Sequence, residues 1–238
     1  MKKFFVSAVV ALIAATATSG NPLGIFNHLG VGVGAGTNGI SIEAATPITS
    51  FIQMRAGVSI MPGITFKSDA DVNYTVEGLQ RQSSVDLKGD LGRVQGQVIF
   101  NVYPAPVVPF YIAVGAYFGG SDLIKITGHS DEMQQAGGGD VVIGDYTIPV
   151  DRNGNVDGGL KVKSFRPYVG IGWGRAIPGK LLNYSMDLGV QIHGKPELYT
   201  KYGTIETSDI DDNNTFNKII DKVKVYPTLT FRLGFRAF

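Results

Sequence analysis

Few residues in this sequence have the means to do chemistry, and they are scattered. The chain carries three histidines and no cysteine, so a thiol nucleophile is excluded and a general base has to be a carboxylate, His28, His129 or His193. Nucleophile, base and orienting acid must come within hydrogen-bond reach of one another. His129 and Ser130 are immediate neighbours in a long polar connection and do not supply that geometry, so no catalytic residue is assigned. Asp209-Ile-Asp-Asp-Asn-Asn214 gathers oxygen donors as a calcium loop does, but without the Gly turn and distal Glu such a loop needs. Phe216, Ile219, Ile220 and Val223 follow at helical spacing, so these acids are read as the start of a short amphipathic helix, and no metal site is assigned. Gly137-Gly138-Gly139 lacks the Lys-Ser/Thr of a phosphate loop and reads as a flexible loop. No cofactor is implied.

Five charges are more informative. Glu43, Arg55, Arg93, Asp187 and Arg232 all lie in runs where apolar residues recur at every second position, and all lie on the polar or Gly-rich side of their run. A period of two marks a strand with two unlike faces. Eight such runs occur, near 29–36, 40–45, 52–60, 93–102, 110–118, 165–173, 182–193 and 228–238. Thr37-Asn38-Gly39 between the first two is a hairpin signal. A charge on a secluded face is costly without a partner, so the five are expected to form one interior polar network. With the turn centred on Ile48, Glu43 is expected opposite Gln53 and one diagonal step from Arg55.

Composition restricts the setting. Gly is abundant at 32 residues of 238, charged residues are only 17% and hydrophobic residues 44%, a balance unlike the ~25% charged residues of an average globular domain. The formal net charge of +1, with no basic run, argues against a nucleic-acid partner. Residues 1–20 begin with Lys2 and Lys3, continue through an apolar stretch and reach Ala15-Thr16-Ala17, the parts of a secretory signal peptide with cleavage near 17–20; residues 21–238 would form the mature domain. The apolar stretch is shorter than the ~20 residues a spanning helix requires.

The connections between runs are asymmetric. Three are short: Thr46 to Ser50, Pro104 to Pro109 and Ile177 to Lys180. On the other side, after one tight turn, the connections near 67–88, 121–163 and 195–224 are long and polar. Short periplasmic turns and mostly long extracellular loops belong to an all-β, closed antiparallel transmembrane β-barrel of about eight strands. An aromatic girdle of Tyr103, Phe110, Phe118, Phe165, Trp173, Tyr184 and Tyr226 is expected where lipid headgroups begin.

The stretch Arg166-Pro-Tyr-Val-Gly-Ile-Gly-Trp-Gly-Arg175, Asp187-Leu-Gly-Val190 and the Tyr226-Pro-Thr-Leu run make the chain resemble the small eight-stranded outer-membrane barrels of the OmpA/OmpX type. The resemblance covers the mature chain as a pattern. It implies a Gram-negative outer-membrane location, contact with outer-membrane lipid and lipopolysaccharide, and recognition by the barrel assembly machinery through a C-terminal strand ending at Phe238. Phe238 departs from the pattern by falling out of phase with Phe231, Leu233 and Phe235. Eight strands leave an interior that side chains fill, so the expected role is a non-catalytic scaffold displaying surface loops, ahead of a narrow solute channel and a lipid-modifying enzyme.

Overall fold

The computed structural model describes residues 28–76, 79–135, 137–143, 146–177, 179, 181–201, 203–205 and 224–237. The expected leader, the Asp209 to Asn214 cluster, the helix after it and Phe238 lie outside the described residues. The chain opens with β1 (Gly30–Gly36), β2 (Gly39–Pro47) and β3 (Ile52–Met61), followed by a long hairpin of β4 (Thr65–Val76) and β5 (Leu79–Asp90). Next come β6 (Arg93–Val102), β7 (Phe110–Phe118) and β8 (Asp122–His129), one helical turn, α1 (Asp131–Gln135), and then β9 (Gly139–Ile143), β10 (Tyr146–Val150) and β11 (Asn155–Lys161). The last strands are β12 (Phe165–Trp173), β13 (Leu182–Ile192), β14 (Glu197–Thr200), β15 (Gly203–Ile205) and β16 (Val225–Arg236).

Eight of these strands close an antiparallel barrel in the order β1, β16, β13, β12, β7, β6, β3, β2. They are the eight alternating runs of the sequence. Closure leaves no strand edge unpaired, which a barrel needs wherever water cannot satisfy the backbone. The alternation is inverted relative to a soluble protein. Ile42, Ile60, Val114, Ile171, Leu188 and Leu233 are exposed on the outside, while Glu43, Arg55, Gln97, Arg166, Asp187 and Arg232 are buried within. Gly39, with φ 83°, makes the tight turn from β1 to β2, and a Cβ there would meet the Ile60 carbonyl oxygen at 2.1 Å.

Where the structure describes them, the long connections are not loops. They form a second eight-stranded sheet, ordered β10, β9, β4, β5, β8, β11, β14, β15. Five of its strands extend barrel strands in the same lateral order: β4, β5, β8, β11 and β14 follow on from β3, β6, β7, β12 and β13. Phe118 pairs with Phe165 at the end of the barrel ladder, and Asp122 with Lys161 at the start of the next. Hydrogen bonds from Gly119 N to Ser164 O and from Val162 N to Ser121 O span the junction. The stretch expected as a flexible loop, Gly137 to Gly139, instead ends a helical turn and begins a strand. Gly137 and Gly138 take positive φ to end α1, with Gly138 N donating to Met133 O, and Gly139 begins β9. No described helix is long and apolar enough to cross a membrane.

Candidate functional site

The site is the barrel interior, built in three tiers. The middle tier joins strands from opposite walls. Arg55 on β3 donates from Nη1 to Glu43 Oε2 and from Nη2 to Asp187 Oδ2, both at 2.9 Å, and from Nε to Asn101 Oδ1 at 3.1 Å. Counted round the barrel as β3, β2, β1, β16, β13, Arg55 and Asp187 stand four strands apart, on facing walls. Arg232 pairs with Asp187, lies 3.8 Å from Glu43 Oε1, and donates from Nη2 to the Tyr111 hydroxyl at 2.9 Å. The Tyr111 hydroxyl in turn donates to Asp187. Two cations and two anions balance, which is what burial of charge demands.

Glycines make the room. A Cβ on Gly57 would lie 2.3 Å from the Ile42 carbonyl oxygen and 2.9 Å from Glu43 Cγ, and one on Gly172 would lie 2.3 Å from Tyr111 Cζ. Glu43 pairs with Gly57, and Gln53 with Pro47. This corrects the expected pairing of Glu43 with Gln53: the turn is centred two residues further on than Ile48. Arg55 nevertheless remains one diagonal step from Glu43.

The tier at the short-turn end is a plug. The segment after β12 folds back, so that Ala176 N donates to Gln53 Oε1 at 3.0 Å, and Tyr103 OH donates to the same oxygen at 3.0 Å. The Arg175 guanidinium lies over the Tyr103 ring, 4.8 Å from its centre. Between plug and charges, the cavity lined by Glu43, Arg55, Arg175 and Arg232 has a volume of about 10 Å³, room for one water at most. Tyr117 and Tyr168 pack edge to face above, their ring centres 5.4 Å apart.

The tier at the other end centres on Arg166. Its Nε donates to Gln191 Oε1 at 3.1 Å, and Nη2 donates to Gln95 Oε1 at 2.8 Å and to Gly119 O at 2.6 Å. Nη1 donates to the Gly120 and Lys163 carbonyls at 3.2 and 3.1 Å. Gln191 Nε2 donates to Asn38 Oδ1 at 3.0 Å.

The structure brings together four of the five expected network charges and places Arg93 elsewhere. Arg93 lies at the rim with its guanidinium 4.6 Å from the centre of the Tyr226 ring, because two residues beyond Gln95 the β6 strand has left the level of the acids. Tyr111, Asn101 and Arg166 are interior partners that the network missed, although each shares the inward parity of its strand. Of the expected girdle, Phe165, Trp173 and Tyr184 are exposed outside, and Phe110 and Phe118 are half-buried. Tyr103 and Tyr226 are corrections. Tyr103 is 1% exposed inside the plug, and Tyr226 donates its hydroxyl to Thr37 O at 2.7 Å. Tyr103 keeps the parity of Asn101 and Tyr226 that of Thr228, both inward, and nearness to a turn does not alter parity.

His129 lies at the end of β8, with Nδ1 3.0 Å from Asn155 Oδ1 and Nε2 3.1 Å from Asp131 Oδ1. The Ser130 hydroxyl accepts a hydrogen bond from Met133 N at 3.3 Å, capping α1. Among the described residues, no group of three or more His, Asp or Glu side chains could hold a metal ion.

Fold and site together define a closed eight-stranded antiparallel barrel with an apolar exterior and a charged, plugged interior. No protein-family model matches the chain, and no curated protein matches it either. Among solved structures, the chain is similar to Acinetobacter baumannii CarO2, with a TM-score of 0.50, 18% identity, and coverage of 88% of this chain and 98% of that one. A. baumannii CarO aligns at a TM-score of 0.46 and 18% identity over 87% of this chain and 96% of that one. At this identity the likeness to CarO2 is one of fold.

Proposed function

We propose that this chain is a Gram-negative outer-membrane β-barrel whose closed lumen serves as a rigid, non-catalytic stem for the second sheet, held at the cell surface for adhesion or ligand contact. The bond from Arg55 to Asp187 carries this reading, because it joins facing walls at 2.9 Å across an interior that side chains of an eight-stranded barrel fill. The apolar outer band supports contact with outer-membrane lipid and, next to the raised sheet, lipopolysaccharide. On this reading the C-terminal strand, β16, is what the barrel assembly machinery recognises. Function on such a protein concentrates in the segments that a rigid scaffold holds out.

The test is conductance of the purified protein in planar bilayers. Wild type is expected to give no steady current at neutral pH. Steady open channels would replace the scaffold with the narrow solute channel.

A further inference from the structure

The two charged tiers of the lumen differ in their balance. The middle tier is neutral, whereas the tier at the raised-sheet end holds Arg166 and Arg93, neither of which has a carboxylate partner among the described residues. The partners of Arg166 are two amides and three carbonyls, and that of Arg93 is a ring. Both stand at the same end of the lumen: Arg166 bonds Gln191, which pairs with Tyr226, the residue whose ring Arg93 covers. A buried guanidinium with a second, partly buried one at the same mouth calls for a counter-charge.

The unpartnered groups at the same end point to its nature. Arg166 has only donors to offer, so it turns the Oε1 of both Gln95 and Gln191 toward itself. Gln191 then has Nε2 left, which turns Oδ1 of Asn38 toward it. What remains over are the amide nitrogens, Gln95 Nε2 and Asn38 Nδ2, both buried and without partners among the described residues. Arg93 Nε is a third such donor. His193, 1% exposed, has no side-chain partner for either ring nitrogen among the described residues, its nearest polar neighbours being the backbone of Gly194 and Val225; it lies two residues from Gln191 on the same face of the chain. The exposed Lys163 and Lys224 flank this mouth: the Lys163 side chain lies beside Gly194, and Lys224 O accepts from His193 N at 3.1 Å. Positive charge around an opening raises the local concentration of anions.

We propose that the outer mouth of the lumen binds a small multivalent oxyanion of the phosphate or sulfate kind, held by Arg93 and His193 with the amides of Gln95 and Asn38. Such an ion supplies the missing negative charge and acceptors for the leftover donors at once, whereas a water molecule supplies acceptors but no charge. The barrel wall separates this site from lipid headgroups, so the ligand is a free ion, and the site stands whether or not the lumen conducts.

The test is calorimetric titration of the refolded full chain in detergent with inorganic phosphate, at neutral pH, low ionic strength and with no other oxyanion present. Saturable one-to-one binding is expected, weakened roughly tenfold or more in Arg93→Gln and in His193→Leu, since each loses a charge-assisted or buried bond. Lys67→Gln, on the raised sheet, should bind as wild type does. Wild-type thermal stability should also rise with phosphate but not with chloride, a readout that does not depend on the variants folding. No saturable binding by wild type, or equal binding in all four proteins, overturns the proposal.

Discussion

The barrel and the sheet raised on it are made from the same ribbons, yet their faces obey different solvents. Along β12 into β11 the outward side chain changes from Phe165, 61% exposed, to Lys161 in four residues, about 13 Å of strand. On the paired strand it changes from Phe118 to Asp122. Below that line the exterior is aliphatic and aromatic and the interior charged. Above it, Leu87, Gly128 and Val156 line up across the strands on one face, with Ile124, Leu160 and Leu198 in a neighbouring row. The opposite face carries Lys88, Thr127 and Asp157 in one row and Asp86, His129 and Asn155 in another. The sheet thus keeps its apolar residues on one side as a water-facing sheet does. The change of rule along one continuous ribbon teaches where the surrounding medium changes, and it needs no sequence motif to be read.

If that contrast is right, losing a charge partner costs very different amounts in the two regions. Asp187→Asn leaves Arg55 and Arg232 with Glu43 alone in a dry interior, and should destabilise the barrel by ~3–5 kcal/mol. Glu197→Gln removes a partner from the half-exposed Lys161, 3.5 Å away on the raised sheet, and should cost at most ~1 kcal/mol. Urea midpoints of the two variants, refolded side by side, make the comparison; similar losses would mean that the interior cluster is wetter than its geometry implies.

The next test reverses the direction of the charge. Leu233→Arg places a cation on the outer band, where residue 233 is 50% exposed to whatever surrounds the barrel, and should cost ~2–4 kcal/mol in a bilayer. Thr127→Arg on the exposed face of β8 should stay within ~0.5 kcal/mol of wild type. Folding yield into lipid vesicles, read by heat-modifiable gel migration, separates them. Equal yields would break the assignment of the lower ribbon to lipid.

The barrel was legible in the sequence because its two faces differ so strongly: Ile-Gln-Met-Arg-Ala-Gly-Val-Ser-Ile at 52–60 admits one reading. The raised sheet was not. In β8, Asp-Leu-Ile-Lys-Ile-Thr-Gly-His, the register slips beside Leu160 and Lys161, which breaks the period of two, and charges interleaved with small residues resemble a loop. Within the site, parity located Glu43, Arg55, Asp187 and Arg232, but not which of the inward charges share a level. Level depends on strand stagger, and a one-turn error of two residues, as at Ile48, moves every pairing. Arg93 shares the inward parity of Gln95 but stands at the rim, which parity alone does not tell. Tyr103 and Tyr226 lie near turns, as girdle aromatics do, yet their parity turns them inward.

The smallest expected effect concerns the water-facing region alone and follows from its exposed ion pairs. Hydrogen bonds from His129 to the Asn155 side-chain oxygen and to the Asp131 carboxylate favour the imidazolium, raising its pKa above the ordinary value. Its contribution to the raised sheet is therefore complete below about pH 6.5, the ordinary histidine pKa, and is lost as pH rises through the raised, folded value. Asp151 works in the opposite sense. Its carboxylate accepts the backbone N–H groups of Asn155 and Asn153, both at 2.9 Å, which lowers its pKa, so its contribution is present above the ordinary carboxylate pKa and is lost only as pH falls through the lowered one. Between those limits both groups hold the turn from β10 to β11 and the end of β8, and salt should weaken the contacts of exposed His129 more than those of Asp151, whose side chain is 17% exposed. An NMR titration of the His129 ring should give a pKa above 6.5 in wild type that falls toward the ordinary value in Asp131→Asn, while Asp187→Asn leaves it unmoved. A wild-type value at or below 6.5 would break the assignment. A shift on changing Asp187 would mean that barrel and sheet are electrostatically one region, and that the boundary drawn between Phe165 and Lys161 does not separate two solvents.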